Sequence, residues 1–220
     1  MPLSIIYQDE YCVVVDKPAG YVVHKTPGAE DFPVLLQTLR DQLGKYVYPI
    51  HRLDRPTSGC ILFSLIEERI SDFQCAIGSL DSVKKYVALC VGALDAPLRI
   101  DRELKSDGPS GKSQAAISLI ESSQRVGEYS LLGIRILTGR KHQIRRHLSG
   151  MANHIVGDVQ NGKGWLNRRM RDDFDFHRMF LHCTELSFYH PILKSVLRVN
   201  SDIPDELLEL INKVDAGTGV

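Results

Sequence analysis

The chain has 220 residues, 43% of them hydrophobic and 25% charged, and its 27 basic and 27 acidic residues leave no formal net charge. That length supports one sizeable domain with its own core, and the balanced charge excludes a protein that finds nucleic acid by bulk basicity. No apolar run reaches the length of a membrane span, and the first residues lack the basic-then-apolar layout of a secretory signal, so a cytoplasmic protein is expected.

In chain order, Ser4 to Tyr7 and Tyr11 to Asp16 read as strands about a Gln8-Asp9-Glu10 turn, and Lys17-Pro18-Ala19-Gly20 ends the second. Leu35, Leu36, Leu39 and Leu43 recur at helical spacing behind Asp31 and Pro33. Ile66, Ile70, Phe73 and Ile77 do so again before Gly78, which predicts two packing helices. Cys60 to Ile66 has the length and residue types of a buried strand. Further strands are expected at Val83 to Val91, Leu98 to Asp101, Ala115 to Ile120, Tyr129 to Leu137, Met179 to Phe188 and Val196 to Val199. Pro204 to Val214 reads as a last helix and 216–220 as a disordered tail. The polar stretch Leu104 to Gln114 and much of Asp158 to His177 read as exposed loops. Strands with helices set among them predict an α+β domain over 1–215, with a mixed, largely antiparallel sheet and flanking helices.

Two polar segments stand out. In His51-Arg52-Leu53-Asp54-Arg55-Pro56-Thr57-Ser58-Gly59 a single carboxylate lies between two arginines, on a loop anchored by the apolar run that follows. Pro56, Gly59 and the hydroxyls of Thr57 and Ser58 can shape such a loop without regular structure. The second is Thr138-Gly139-Arg140-Lys141-His142-Gln143-Ile144-Arg145-Arg146-His147-Leu148, where a Gly-punctuated turn opens a short basic helical segment. Lys163, Arg168, Arg169, Arg171 and Arg178, with Trp165 and Phe176 interleaved, make another basic stretch. Together the two basic stretches suit a phosphate-binding face for single-stranded or distorted RNA.

Other chemistries are poorly supported. Ser106 to Ser113 ends in Gly-Lys-Ser like a phosphate loop, but the required first glycine is Ser106 and no apolar strand leads into it. The eight histidines form no His-Glu-x-x-His, and there is no paired Cys-x-x-Cys, so no metal is expected. Ser58 lacks a Gly-x-Ser-x-Gly elbow. Five widely spaced cysteines suit reduced core thiols rather than a disulfide framework.

Taken together, the segments at 51–59 and 138–148 resemble the RluA-type pseudouridine synthases. Weaker features of that family follow in the expected order: Lys17-Pro18-Ala19-Gly20 with Val23-His24, Lys85-Tyr86-x-Ala88 with Gly92, Val156-Gly157-Asp158, and Leu181-His182 with His190-Pro191. The resemblance spans nearly the whole chain, with no RNA-binding module expected ahead of the catalytic domain. Within the family, the wording of 138–148, the Asn167-Arg168 pair and Arg178-Met179-x-Leu181-His182 are most similar to members that modify uridine 65 of tRNA. Members acting on ribosomal RNA share the catalytic motifs and stay an alternative, as does a catalytically silent RNA-binding domain.

The resemblance implies an isomerase that needs no cofactor, because the N1 glycosidic bond of a uridine is exchanged for a bond from C5 to C1′ without redox change. It makes Asp54 the catalytic carboxylate, either as nucleophile at C1′ or as base toward a ribose proton. Both routes require an ionised carboxylate, which a nearby cation favours. That cation is Arg145 by resemblance. Neighbouring helical residues project about 100° apart, so Arg146 is left to reach phosphate. Tyr86 is expected to stack on the uracil and take part in proton removal at C5. Ile144 would pack beside the base, and Arg52 would fill the space of a flipped uridine. Arg140, Lys141 and Arg146 are the expected RNA-backbone contacts, with RNA the partner and a monomer the expected state.

Overall fold

The computed structural model describes residues 2–25, 30–106 and 111–216. In chain order the strands and α-helices are β1 (Ser4–Gln8), β2 (Cys12–Lys17), α1 (Leu35–Leu43), β3 (Tyr48–Pro49), β4 (Ser58–Ser64), α2 (Ile70–Gly78), β5 (Val83–Val91), β6 (Leu98–Asp101), β7 (Leu104–Lys105), β8 (Ser113–Gln114), β9 (Ile117–Val126), β10 (Tyr129–Ile136), α3 (Gln143–Ser149), α4 (Gly164–Phe174), β11 (Leu181–Tyr189), β12 (Val196–Asn200) and α5 (Asp205–Ala216). Two compact units form: Met1–Lys84 with Cys183–Asp202, and Lys85–His182 with Ile203–Val220. The fold is α+β, and its strand ladders of defined register are antiparallel.

The first unit has strand order β1-β2-β4-β11, with β3 on β4 and β12 on β11. The β1–β2 hairpin turns where expected because the Asp9 carboxylate accepts the amides of Tyr11 and Cys12, each at 2.7 Å. Cys12 to Val15 are inaccessible to solvent, and every residue of β4 is buried, as an apolar run in a central strand requires. Helix α1 buries Leu35 and Leu39 and stops at Gly44 in a left-handed conformation, and α2 buries Phe73 and Ile77.

The second unit has strand order β5-β10-β9-β6. Its core joins Leu89, Tyr129, Val156 and Phe180 to Leu166 and Met170 of α4 and to Leu207, Leu210 and Val214 of α5. The α4 segment was expected to be loop. Only Leu166, Met170 and Phe174 mark its apolar stripe, among charged residues and behind Gly162 and Gly164, so the local pattern is thin and burial decides. Strand β9 also runs on to Val126 rather than ending at Ile120. Beyond Ile120 it pairs with β10 but not with β6, and an exposed edge takes polar residues. Within the expected Leu104 to Gln114 loop, β7 and β8 pair, and residues 107–110 of the phosphate-loop look-alike lie outside the described residues. Ala216 closes α5 rather than opening a tail, and 217–220 lie outside the described residues. Four cysteines are buried as expected, whereas Cys75 on α2 is exposed; all five are free.

Gly59 has φ 108°, and a Cβ there would overlap the backbone of Cys183 on the neighbouring strand. Gly59→Ala is therefore expected to lower the unfolding free energy by about 3 kcal/mol or more. Urea denaturation followed by circular dichroism measures it, and a loss under about 1 kcal/mol would contradict so close a strand approach.

Candidate active site

In the first unit Asp54 is half-buried and opens a turn closed by the amide of Thr57, which donates to the Asp54 carbonyl at 3.0 Å. The turn is held from beneath by Lys17, whose side chain is 0% exposed. Its Nζ donates to the carbonyls of Thr57 at 2.7 Å, Pro18 at 2.9 Å and Arg55 at 3.2 Å. The Gly20 amide donates to the same Arg55 carbonyl at 2.8 Å. A buried ammonium is tolerated only when its donors are satisfied, and here the carbonyls that satisfy it belong to the Asp54 turn and to the Pro18 segment. In the sequence Lys17 stands only as a strand-ending residue and a letter of a weaker family motif. Its anchoring role has no local signal, because the Arg55 and Thr57 carbonyls it holds lie about forty residues away.

The arginines that flank Asp54 behave differently. Arg55 lies with its guanidinium carbon 3.8 Å from the centre of the Phe32 ring, a cation–π contact, while Arg52 is exposed. Thr57 and Ser58 are buried beneath the turn. His51 accepts the Leu62 amide on Nε2 at 3.1 Å, tying the start of the loop to β4. Burial first, and then the nearby Lys84 ammonium, push its pKa from 6.5 down to about 4.

In the second unit the 138–148 segment is organised around the buried Gln143. Its Oε1 accepts from the Thr138 hydroxyl at 2.7 Å and the Arg140 amide at 3.1 Å. Its Nε2 donates to the Ile117 carbonyl at 2.9 Å and the Ser118 hydroxyl at 3.1 Å. One turn on, His147 is buried between the Ser118 hydroxyl at 3.0 Å and the Arg102 carbonyl at 3.1 Å. Burial lowers its pKa, so it is a neutral fastener and not the phosphate-facing group that a wholly basic segment suggests. Arg140 and Lys141 are exposed and Arg146 is half-buried, with Arg140 donating to the Ala115 carbonyl and Arg146 to that of Lys105.

Arg145 is 4% exposed and makes a two-pronged ion pair with Asp158, which is 1% exposed. Nε meets Oδ2 and Nη2 meets Oδ1, each at 2.8 Å. Burial raises the Asp158 pKa, but the Arg145 hydrogen bond and the amides of Asn161 and Gln160 outweigh it and hold the carboxyl below its usual range. The clamp fixes the guanidinium plane and hence the direction of Nη1. Asn167 of α4 secures the turn, accepting the Gly157 amide at 3.1 Å and donating to the Asp158 carbonyl at 2.8 Å. Asp158 and Asn167 were present in the sequence as motif letters without a role. Tyr86, on β5 opposite Ile134 of β10, and Ile144 on α3 are both buried in this unit.

Among the described residues one group has ligand atoms close enough for a metal: Asp9, Cys12 and His190. The amides of Ile192 and Leu193 donate to His190 Nδ1 at 3.3 and 3.0 Å, which leaves the ring proton on Nε2, facing Asp9 Oδ2 at 3.2 Å. A metal at Nε2 would have to displace that proton and break the Asp9 contact, so hydrogen bonding accounts for the group without an ion.

A family model described as RNA pseudouridylate synthase matches residues 11–150, and the chain belongs to that family. It is a pseudouridine synthase, an RNA-modifying isomerase. The chain is 35% identical to tRNA pseudouridine synthase C of Vibrio parahaemolyticus, over 97% of this chain and 95% of that one. It is 37% identical to tRNA pseudouridine synthase C of Haemophilus influenzae, over 96% and 97% of the two chains. Human RNA Pseudouridylate Synthase Domain Containing 4 shares the fold, with a TM-score of 0.75 at 22% identity over 96% of this chain and 92% of that one.

Two outcomes follow from this geometry. Because His51 resists protonation in the folded state, its contribution to stability is complete above pH 6.5 and is lost as the pH falls toward 4. The thermal midpoint should fall between pH 7.5 and pH 5, less steeply in His51→Gln; equal slopes in both proteins would contradict the buried neutral ring. Asp158→Ala strands the Arg145 charge and should cost about 3–5 kcal/mol of stability by denaturant titration. A cost below about 1 kcal/mol would mean that the clamp does not hold Arg145.

Proposed function

We propose that this pseudouridine synthase acts on tRNA, at uridine 65, with Asp54 as its catalytic carboxylate and without a cofactor. The observation that carries the tRNA assignment is the similarity, over nearly the full length of both chains, to relatives named for tRNA. The likeness of 138–148, Asn167-Arg168 and 178–182 to the members that modify position 65 supports the finer assignment.

In this reading the bond from N1 to C1′ breaks, the uracil turns, and C5 bonds to C1′. The C5 proton leaves and N1 gains one, so atoms and electrons balance without an outside reactant. Asp54 either adds to C1′ or takes a ribose proton to open the same step. Arg145 supplies the positive charge that favours the ionised carboxylate, from a guanidinium whose plane Asp158 sets. Tyr86 packs on the uracil and serves proton removal at C5, and Ile144 lies beside the base. Arg52, exposed next to Asp54, takes the place of the uridine once it has left its stack. Arg140, Lys141 and Arg146 contact the RNA backbone.

The test is to incubate the protein and its Asp54→Asn form with unmodified tRNA and ribosomal RNA, then map pseudouridine by carbodiimide-blocked primer extension. The unaltered protein should give one stop at tRNA position 65, and Asp54→Asn should react on the order of 10³-fold more slowly or worse. Stops confined to ribosomal RNA would overturn the tRNA assignment, and an undiminished Asp54→Asn rate would overturn the assignment of the carboxylate.

A further inference from the structure

Of the aromatic and basic residues between 163 and 178, the fold engages some and leaves others exposed. Phe176 is in the core, Arg169 pairs with Glu128 and Asp173, and Arg178 pairs with Glu206. Trp165, on the first turn of α4, is 56% exposed. Lys163, Arg168 and Arg171 around it are exposed and have no ion-pair partner among the described residues. Trp165 and Arg168 stand at i and i+3 on one helix face, with Asp172 one turn beyond, while Leu166, Asn167 and Met170 turn inward. Asn167 is the residue that holds the Asp158 turn, so the face that carries Trp165 is tied to the Arg145 clamp through the same helical turn. Val159, next to Asp158, is 87% exposed.

We infer that Trp165, with Arg168 and Lys163, is a stacking platform for an unpaired nucleotide of the RNA substrate. An indole left in water beside unpaired cations fits a partner that offers both a flat π face and a phosphate, which an unstacked nucleotide does and a paired one does not. This inference rests on the reading of RNA as substrate and adds the group that grips it outside the reacting uridine.

The chain has one tryptophan, so its emission reports this place alone. The experiment titrates Asp54→Asn protein with unmodified tRNA and with a fully paired RNA duplex, following tryptophan emission and filter retention together. Saturable quenching by tRNA that tracks retention, and weaker quenching by the duplex, is expected. Trp165→Ala should bind tRNA roughly 5- to 150-fold more weakly, Trp165→Phe should recover most of the affinity, and in the active protein Trp165→Ala should raise KM more than it lowers kcat. Retention without quenching, or unaltered affinity in Trp165→Ala, would overturn the platform. Emission that changes with protein concentration alone would overturn it in favour of a second copy on this face. Quenching by tRNA that the active protein nonetheless leaves unmodified would sink the tRNA reading and keep the platform. No retention of any RNA would remove both.

Discussion

A charge taken out of water survives only where hydrogen bonds replace its hydration, and in each unit such a charge holds part of one of the two polar segments. In the first unit the ammonium of Lys17 is fully enclosed and donates to two carbonyls of the Asp54 turn, those of Arg55 and Thr57. In the second unit Arg145 and Asp158 enclose each other, and Asp158 also accepts two amides of its own turn. Neither arrangement can relax cheaply, because any movement that breaks a contact leaves an uncompensated buried charge. Rigidity of this kind is what the proposed roles of Asp54 and Arg145 require, since groups that act on a substrate are aimed before it arrives.

The same accounting sorts the remaining titratable groups. His51, His147 and His190 all have lowered pKa values with burial as the largest cause, and each is engaged by backbone or hydroxyl partners. They fasten the Asp54 loop, α3 and the end of β11 as neutral rings, not as acids, bases or ligands. Buried charge is thus concentrated in Lys17 and in the Arg145–Asp158 pair, while Arg52, Arg140, Lys141, Lys163 and Arg168 keep theirs exposed at the surface, where phosphate can reach it.

Much of the fold was legible because its signals are local. The β1–β2 hairpin announces itself by short apolar runs on either side of Gln8-Asp9-Glu10, α1 by leucines at helical spacing behind Asp31 and Pro33, and β5 and β6 by their strand-forming residue types. Helix α4 was illegible because Leu166, Met170 and Phe174 among six charged or polar neighbours make a weak stripe, and its stability comes from docking Leu166, Asn167 and Met170. The far half of β9 was illegible because it is half-paired and therefore polar on both faces.

The candidate site divides the same way. Sequence alone singled out the two polar segments and, by resemblance, the family, because an aspartate between arginines and a Gly-led basic helix occur together in recognisable wording. What only the tertiary structure decided is which groups are held and by what. Lys17 reaches the Asp54 turn across about forty residues, Asp158 rather than any near neighbour clamps Arg145, His147 is neutral, and Trp165 rather than Phe176 stays in water. These are matters of burial and long-range hydrogen bonding, and a linear pattern does not carry them, because the partner that satisfies a buried charge is chosen by the packing of the chain and not by its spacing along it.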